Sequence, residues 1–450
     1  MKLKHLALTA AAAGFVSVGA QAQSMEQLQQ ALAQAQAAAT QAQAAAEKAM
    51  AALAQVQQAA AQAQQAAAET KATVGQAQAS APMQSASKGT GSGLTFQSGA
   101  NSVTLYGLID ATISNRTNAG TGGKSLTGFQ DAWFSGNRWG LTGKRDLGTE
   151  NGLKAIFRLE SEFNYRDGVG PDVPSLFNRD AWLGLESDTL GKLTFGRQNT
   201  LPRDFSQNYG DPYGSAKVTL DEGGWTNNNN FKQMIFYAGS ASGTRYNDGI
   251  VWKKQMGDVV AGLGYQFGGV AGDFGRGSTK AAALAYNGGK FNVSGFVNSA
   301  SVAGLKNNSY SIGGNYQLDM VRLNAGYFNY TADQAAAIGQ RKDNGITVSA
   351  KFTPSGKMDY EIGYQVMKAD KAAVNASGYV LNAFANASAA TASASGKRKT
   401  LYGSAFYHID ATTDLYVAID RLNTDGTYLA ASANGAKTQT EIGLGLRIKF

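Results

Sequence analysis

The chain has 450 residues and a formal net charge of +8, with 55 glycines, 6 prolines and no cysteine. The lack of cysteine excludes a disulfide framework, and no apolar run after the first twenty residues is long enough for a transmembrane helix. Outside residues 1–82 the charge balance is +7, because residues 1–22 contribute two lysines and residues 24–82 carry a net −1. This basic excess could favour anions or lie on exposed loops.

Catalytic chemistry has little support in this sequence. The only histidines are His5 and His408, and no nucleotide-binding loop or cluster of metal ligands occurs, so we expect no cofactor, metal or nucleic acid partner. His408 and Asp410 would share one face of a strand, but such a pair near a turn is more often structural than catalytic. We therefore expect that the protein is not an enzyme, although some membrane barrels are hydrolases.

Residues 1–22 are typical of an export signal. Lys2 and Lys4 precede an apolar stretch from Leu6 to Val18, and Ala20-Gln21-Ala22 matches a small-x-small cleavage site. The mature chain is therefore expected to begin at Gln23.

Residues 23–78 are almost entirely Ala and Gln and repeat every seven residues. The two series of seam positions, which start at Met25 and Leu28, include only one polar residue, Thr70. This pattern predicts an α-helical coiled-coil stalk that would reach roughly 80 Å. The alternative is a disordered low-complexity tract, against which Leu28, Leu32, Leu53 and Val56 argue because they lie only on the seam. Residues 79–101, rich in Ser and Gly, are predicted to form a flexible linker.

Residues 102–450 alternate apolar and polar side chains with a period of two. In the last segment, Thr440–Phe450, apolar residues occupy one face and glycine or charged residues the other. We identify sixteen such segments, with connections that alternate between short and long, as in a transmembrane β-barrel. A soluble sandwich is the alternative, but it would not bury the charged face that includes Lys154, Arg158 and Glu160. An even number of strands leaves the N- and C-terminus of the barrel on the same side of the membrane, so the stalk is expected in the periplasm.

Several motifs make this region similar to the general trimeric Gram-negative porins, especially the β-proteobacterial type. They are S-V-T-L-Y-G-L-I-D at 102–110, N-R-W-G-L-T-G-K-R-D-L-G at 137–148, G-L-K-A-I-F-R-L-E at 152–160 and L-T-F-G-R-Q at 193–198. The resemblance implies a homotrimer in the outer membrane lipid and a terminal Phe that serves as the assembly signal. It also implies a third long loop that folds into the barrel, with acidic residues facing arginines on the wall. The stalk is not part of this family pattern.

The resemblance also implies which residues form the pore constriction. Arg138, Arg179 and Arg245 occupy motif positions of the wall arginines, and Arg158 and Glu160 follow as inward residues of the third strand. The loop lies between Arg197 and Arg245, so we include Arg197, with Asp204 and Asp211 as candidate loop acids. The sequence lacks the P-E-F-G tetrapeptide of the enteric proteins, which leaves Asp221 and Glu222 as competitors. Each arginine could face the permeating solute or only pair with a carboxylate.

Two functions follow from these patterns. The first is an outer-membrane porin for passive diffusion of small hydrophilic solutes and ions, with a preference for anions. The alternative is an envelope tether, in which the stalk contacts peptidoglycan and the barrel mainly anchors it. Trimeric adhesins also join coiled coils to barrels, but each of their chains supplies only a few strands.

Overall fold

The computed structural model describes Thr40 and residues 87–88, 93–170, 175–222, 239–382 and 387–450. The predicted signal peptide lies outside these residues, and so does the predicted coiled coil apart from Thr40. Within the described ranges, no helix is long and apolar enough to cross a membrane.

The described residues contain nineteen strands, which form one antiparallel sheet. The strands are β1 (Ser87–Lys88), β2 (Leu94–Ser98), β3 (Asn101–Arg116), β4 (Leu126–Asp131), β5 (Arg138–Asp146), β6 (Lys154–Glu162), β7 (Asp180–Ser187), β8 (Gly191–Asn199), β9 (Arg245–Met256), β10 (Val259–Gln266), β11 (Thr279–Gly288), β12 (Phe291–Val302), β13 (Leu305–Leu318), β14 (Val321–Ala332), β15 (Arg341–Ser355), β16 (Met358–Ala373), β17 (Ser393–His408), β18 (Thr413–Thr424) and β19 (Thr438–Lys449). Two short helices, α1 (Leu201–Phe205) and α2 (Gln207–Gly210), follow β8.

The sheet closes into a barrel because its last strand pairs with β3. The register runs from Glu441↔Arg116 to Lys449↔Leu108. On its other edge β3 pairs with β5 through one half and with β4 through the other, so these two strands share one position in the barrel. The barrel thus has sixteen strand positions, and the predicted sixteen-stranded antiparallel barrel is confirmed.

The two faces of the barrel differ in the way that the period-two pattern predicts. On β19, the outward Ile442 and Leu444 are 50% and 62% exposed, whereas the inward Glu441 is 1% exposed. Other strands repeat this arrangement, with Ile312 and Ile362 exposed on the outside. An apolar outer face around a polar interior suits a barrel that is surrounded by lipid.

The connections of the barrel differ in length at its two ends. Short turns such as 257–258, 289–290 and 319–320 lie at one end, and longer connections such as 267–278 and 425–437 lie at the other, where only 303–304 among the described connections is equally short. Because β3 begins and β19 ends at the end with the short turns, both termini of the barrel lie there.

The chain also adds a strand at this end: β2, within the predicted flexible linker, pairs with β3 from Leu94↔Leu105 to Ser98↔Asn101. Its outward Leu94 and Phe96 explain this pairing, since they extend the apolar outer face.

Candidate functional site: an inner loop against a charged wall

The connection that follows β8 enters the barrel, and the first of its two described parts, residues 200–222, is here called the inner loop. Thr200 caps α1 by accepting a hydrogen bond from the backbone N–H of Arg203, and Pro202 suits the first turn. Leu201 and Phe205 are fully buried against the inner face of Gly262 on β10. The inward-folded loop that the family resemblance implied is therefore present.

A tyrosine of α2 fixes the next part of the inner loop. The ring of Tyr209 is fully buried over Gly313 on β13 and Gly326 on β14, where no side chain occupies the inner face. Its hydroxyl donates a hydrogen bond of 2.6 Å to the Oγ of Ser311. The two glycines thus provide the space that α2 needs to lie flat against the wall.

Amide and hydroxyl side chains of the wall bind the backbone of the inner loop. Asn315 Nδ2 donates to the carbonyl oxygens of Asn208 and Ala216, both at 2.7 Å, and so joins two separate parts of the loop. Ser294 Oγ donates to the carbonyl of Phe205 at 2.5 Å. Because these bonds satisfy buried carbonyls that the short helices leave free, they hold the loop in one position.

Four arginines on the wall between β5 and β9 converge, and we call them the arginine cluster: Arg138, Arg158, Arg179 and Arg245. Glu160 of β6 is bonded by three of them. Arg158 Nη2 lies 2.7 Å and Arg138 Nε 3.6 Å from its Oε2, and Arg179 contacts its Oε1. Tyr106 donates a further hydrogen bond of 2.8 Å to the same carboxylate. Glu160 thus supplies a shared negative charge for the predicted wall arginines.

Asp180, at the start of β7, connects the remaining arginine to the cluster. Its carboxylate lies 3.2 Å from Arg158 Nε and 3.4 Å from Arg245 Nε. The side chains of Glu160 and Asp180 are each only 1% exposed, whereas those of Arg138 and Arg158 are 22% and 24% exposed. The buried carboxylates therefore lie behind the guanidinium groups, and the accessible charge at this part of the wall is positive.

The loop acid that meets the arginine cluster is Glu222. Its carboxylate lies 3.7 Å from Arg158 Nη1 and accepts a hydrogen bond of 2.8 Å from Trp182 Nε1. Burial alone would raise the pKa of Glu222, but the positive charge of Arg158 outweighs this effect and holds that pKa below its usual range. Glu222 therefore links the end of the inner loop to the wall as a carboxylate.

Asp204 contacts a wall lysine instead of an arginine. It forms an ion pair with Lys253 of β9, and Asn199 Nδ2 donates to it at 3.0 Å. Nearby, Lys192 Nζ lies 3.6 Å from Asp221, whose side chain is 88% exposed. Lys192 and Lys253 were not predicted as site residues, although each follows the inward alternation of its strand.

The other two predicted residues, Asp211 and Arg197, have different contacts. Asp211 accepts a hydrogen bond of 2.7 Å from the backbone of Tyr213, beside Arg322 of β14, which donates to the carbonyl of Gly214 at 2.8 Å. In the strand order β14 lies across the barrel from β6. Arg197 lies at the end of β8, where it donates to the carbonyl of Asn178 at 2.8 Å and to Asn247.

A second group of side chains, which the sequence did not indicate, lies around the tip of the inner loop. The ring of Tyr213 is 4.4 Å from that of Phe134 and 4.2 Å from that of Phe406, measured between centroids. The guanidinium of Arg447 lies 5.8 Å from the Tyr213 ring and 2.7 Å from Asp414. These contacts connect the loop tip to β17, β18 and β19.

His408 does not pair with Asp410. Its two ring nitrogens lie 2.6 Å from Asp414 and 3.0 Å from Asp359, so it bridges β16 and β18. Asp410 instead accepts a hydrogen bond of 2.7 Å from the backbone of Thr412 in the turn. The tight turn therefore separates two residues that a regular strand would have placed together.

Comparison with known proteins gives the same architecture. The family model for Gram-negative porins matches residues 49–427. An outer membrane porin protein of Bordetella pertussis is 30% identical, in a match that covers 51% of this chain and 64%, less than two thirds, of that relative. Among solved structures, an anion-selective porin from Comamonas acidovorans has a TM-score of 0.61 at 21% identity, covering 78% of this chain and 100% of its own.

Two further structures have the same fold at lower identity. OmpT of Vibrio cholerae has a TM-score of 0.55 at 14% identity, and Salmonella typhi OmpF in complex with daunomycin has 0.54 at 16%. Each match covers 79% of this chain and 100% of the other chain. The chain belongs to the Gram-negative porin family.

Proposed function

We propose that this protein is an outer-membrane porin through which small hydrophilic solutes and ions diffuse passively, with a preference for anions. A closed barrel with an apolar outside and a polar inside supports the channel. The observation that carries the anion preference is the burial of Glu160 and Asp180 behind the more exposed Arg138 and Arg158. In a narrow aqueous passage, the accessible charge determines which ion enters more easily.

Six residues are proposed to act on the permeating ion or to shape the constriction. Arg138 and Arg158 present accessible positive charge, while Arg179 and Arg245 mainly stabilise the buried carboxylates. Lys192 and Glu222 place one further charge of each sign beside them. Charges farther away than about 8 Å are largely screened at physiological ionic strength, so Asp211, which lies beside the opposite wall, is expected to contribute less.

A homotrimer is proposed as the functional assembly. The wall around the arginine cluster is low: β7 has 8 residues, against 16 in β16. A tilted transmembrane strand needs about 9–11 residues, so β7 is too short to span the hydrocarbon core of the bilayer by itself. Contact between subunits along this wall would cover it. Cross-linking of the purified protein in detergent should then give trimers, with no abundant species of higher mass.

We also propose that residues 23–78 lie in the periplasm and contact peptidoglycan, in addition to the channel function. The position of both barrel termini at the short-turn end supports the periplasmic side. Co-sedimentation with purified peptidoglycan checks this, with a variant that lacks residues 24–78 as the comparison. Equal co-sedimentation of the two proteins would exclude wall contact through the stalk. No observation favours a tether instead of a channel.

Single-channel recording of the purified protein in a planar bilayer tests the proposed function. We expect conductance steps in threes. In a tenfold potassium chloride gradient, the sign of the reversal potential should indicate a higher permeability to chloride than to potassium. The variant R138Q/R158Q should lose most of this anion preference, whereas R145Q, which changes an exposed residue on the outside of the barrel, should retain it. Folded protein without conductance would contradict the channel, and a cation-favouring reversal potential would contradict the anion preference.

A further inference from the structure

The outer face of β15–β18 has a concentration of basic residues near the end with the long loops. These side chains belong to the outward series of their strands, since the residues that flank them, such as Arg341, Met367 and Arg398, are buried on the inside. We call them the basic patch: Lys342, Lys368, Lys397, Lys399 and Arg421.

The charges of the basic patch are not balanced within the protein. Lys368 and Lys397 are direct cross-strand partners, an arrangement that is destabilising for like charges. In the described part of the chain, the patch contains one ion pair, in which Lys399 Nζ lies 3.0 Å from Asp425. Lys342 faces Asp370 in the register but forms no ion pair with it in the described structure. An external anion would therefore relieve the repulsion between the lysines.

The patch borders the apolar band of the barrel. Tyr364 and Leu401 are outward, cross-strand partners and 41% and 48% exposed. On β17 the outward side chains run from Leu401 to Lys399 and then to Lys397, in the direction of the long loops. Such a step from apolar to basic side chains is expected where lipid tails give way to charged headgroups.

The opposite ends of β15–β18 lack outward basic residues. The outward residues near the short turns are large and uncharged, such as Phe352, Tyr360, Tyr407 and Leu415, which are all exposed. The rings of Phe352 and Tyr360 stack with centroids 6.2 Å apart. On β15–β18 the outward basic residues are therefore confined to the long-loop end.

We propose that the basic patch binds the phosphates of a glycolipid of the lipid A class, which has two phosphorylated sugars above several acyl chains. The inference rests on the outer-membrane placement proposed above, which puts the long-loop end in the outer leaflet. Neighbouring strands lie about 4.8 Å apart, so Lys368 and Lys397 can approach one phosphate together. Lys342 lies beside them on β15, and Arg421 lies lower, level with Leu401. The acyl chains would lie against Tyr364 and Leu401. A second copy of the chain would fit poorly, because it would present the same positive charge.

Binding of purified, bisphosphorylated lipid A to the full chain in nonionic detergent micelles tests the proposal. The variant K368Q/K397Q should bind it at least tenfold more weakly than the parent, because it removes the two lysines that approach one phosphate together. The matched control K290Q/K357Q removes two exposed lysines at the short turns and should retain the parental affinity. Equal affinities of the two variants would overturn the proposal.

Two further probes identify the lipid chemistry. Lipid A without phosphates, which has the same acyl chains, should bind the parent at least tenfold more weakly, and added salt should weaken binding of the phosphorylated form. Equal binding of the two forms would exclude phosphate recognition, and equally tight binding of phosphatidylglycerol micelles would exclude selectivity for the glycolipid. Unchanged single-channel conductance of K368Q/K397Q shows that it is folded. Since conductance is measured separately, failure of the lipid site and failure of the channel can be told apart.

Discussion

Tyr209 of the inner loop lies with its ring directly on the backbone of Gly313. A methyl group at position 313 would clash with this ring, which is fully buried and cannot turn aside while its hydroxyl is bonded to Ser311. The absence of a side chain on β13 is thus a condition for the position of α2 inside the barrel.

Gly313→Ala is expected to displace the inner loop while leaving the barrel closed. Overpacking of this kind destabilises by about 1–3 kcal/mol. Single-channel conductance should change in mean value or split into several levels. The control is Gly128→Ala on β4, where a new methyl group would have no neighbour within 4 Å. Identical conductance of both variants and the parent would show that Tyr209 does not fix the loop.

Asn315→Ala should make the inner loop less well fixed. It removes two hydrogen bonds to loop carbonyls, each of which contributes about 0.5–1.5 kcal/mol. We expect channel closure at lower applied voltage and more current noise in planar bilayers. Asn324→Ala is the matched control, because Asn324 is also buried on the inner wall but donates to Ser349 of the barrel instead of the loop. A closing voltage that changes equally in both variants would speak against the loop contact.

Glu160→Gln should strengthen the anion preference and weaken the fold. Its carboxylate is shared by Arg138, Arg158 and Arg179, so its loss leaves three guanidinium groups with less compensation. Loss of one partner from a buried ion pair typically destabilises by about 3–5 kcal/mol. The reversal potential should move further towards that of chloride, and the midpoint of urea unfolding should fall. Glu186→Gln, which disrupts a more exposed pair with Lys144, should change both quantities less.

The ion pair of Lys253 with Asp204 should show strong coupling between its two members. Their side chains are 5% and 2% exposed, so either single variant, Lys253→Met or Asp204→Asn, leaves one charge buried without its partner. The double variant should recover most of the lost stability, with a coupling free energy of about 1–3 kcal/mol in urea unfolding. Additive losses in the double variant would indicate that the two residues act independently.

The sequence predicts the strands better than the site, and the difference has a physical origin. Strand positions follow from an alternation that each segment carries by itself, as in Thr440–Phe450. The partners of Asp204 and Glu222 depend instead on the path of the inner loop across the barrel, which no local period encodes. The motif positions of Arg138, Arg179 and Arg245 indicated residues that converge, but the partner of Asp204 is Lys253, which shares β9 with Arg245 and is not itself a motif position.

The pairing of β19 with β3 also determines the order in which the protein can fold. Most other neighbouring barrel strands are close in sequence, so hairpins such as β12–β13 can form early. The seam joins Leu108 to Lys449 and requires nearly the whole barrel sequence to be present. Until then, β3 and β19 both have open edges that can pair with other chains. A chain that is released before its last strand is complete would therefore be an aggregation hazard, however well its first fifteen strands had formed.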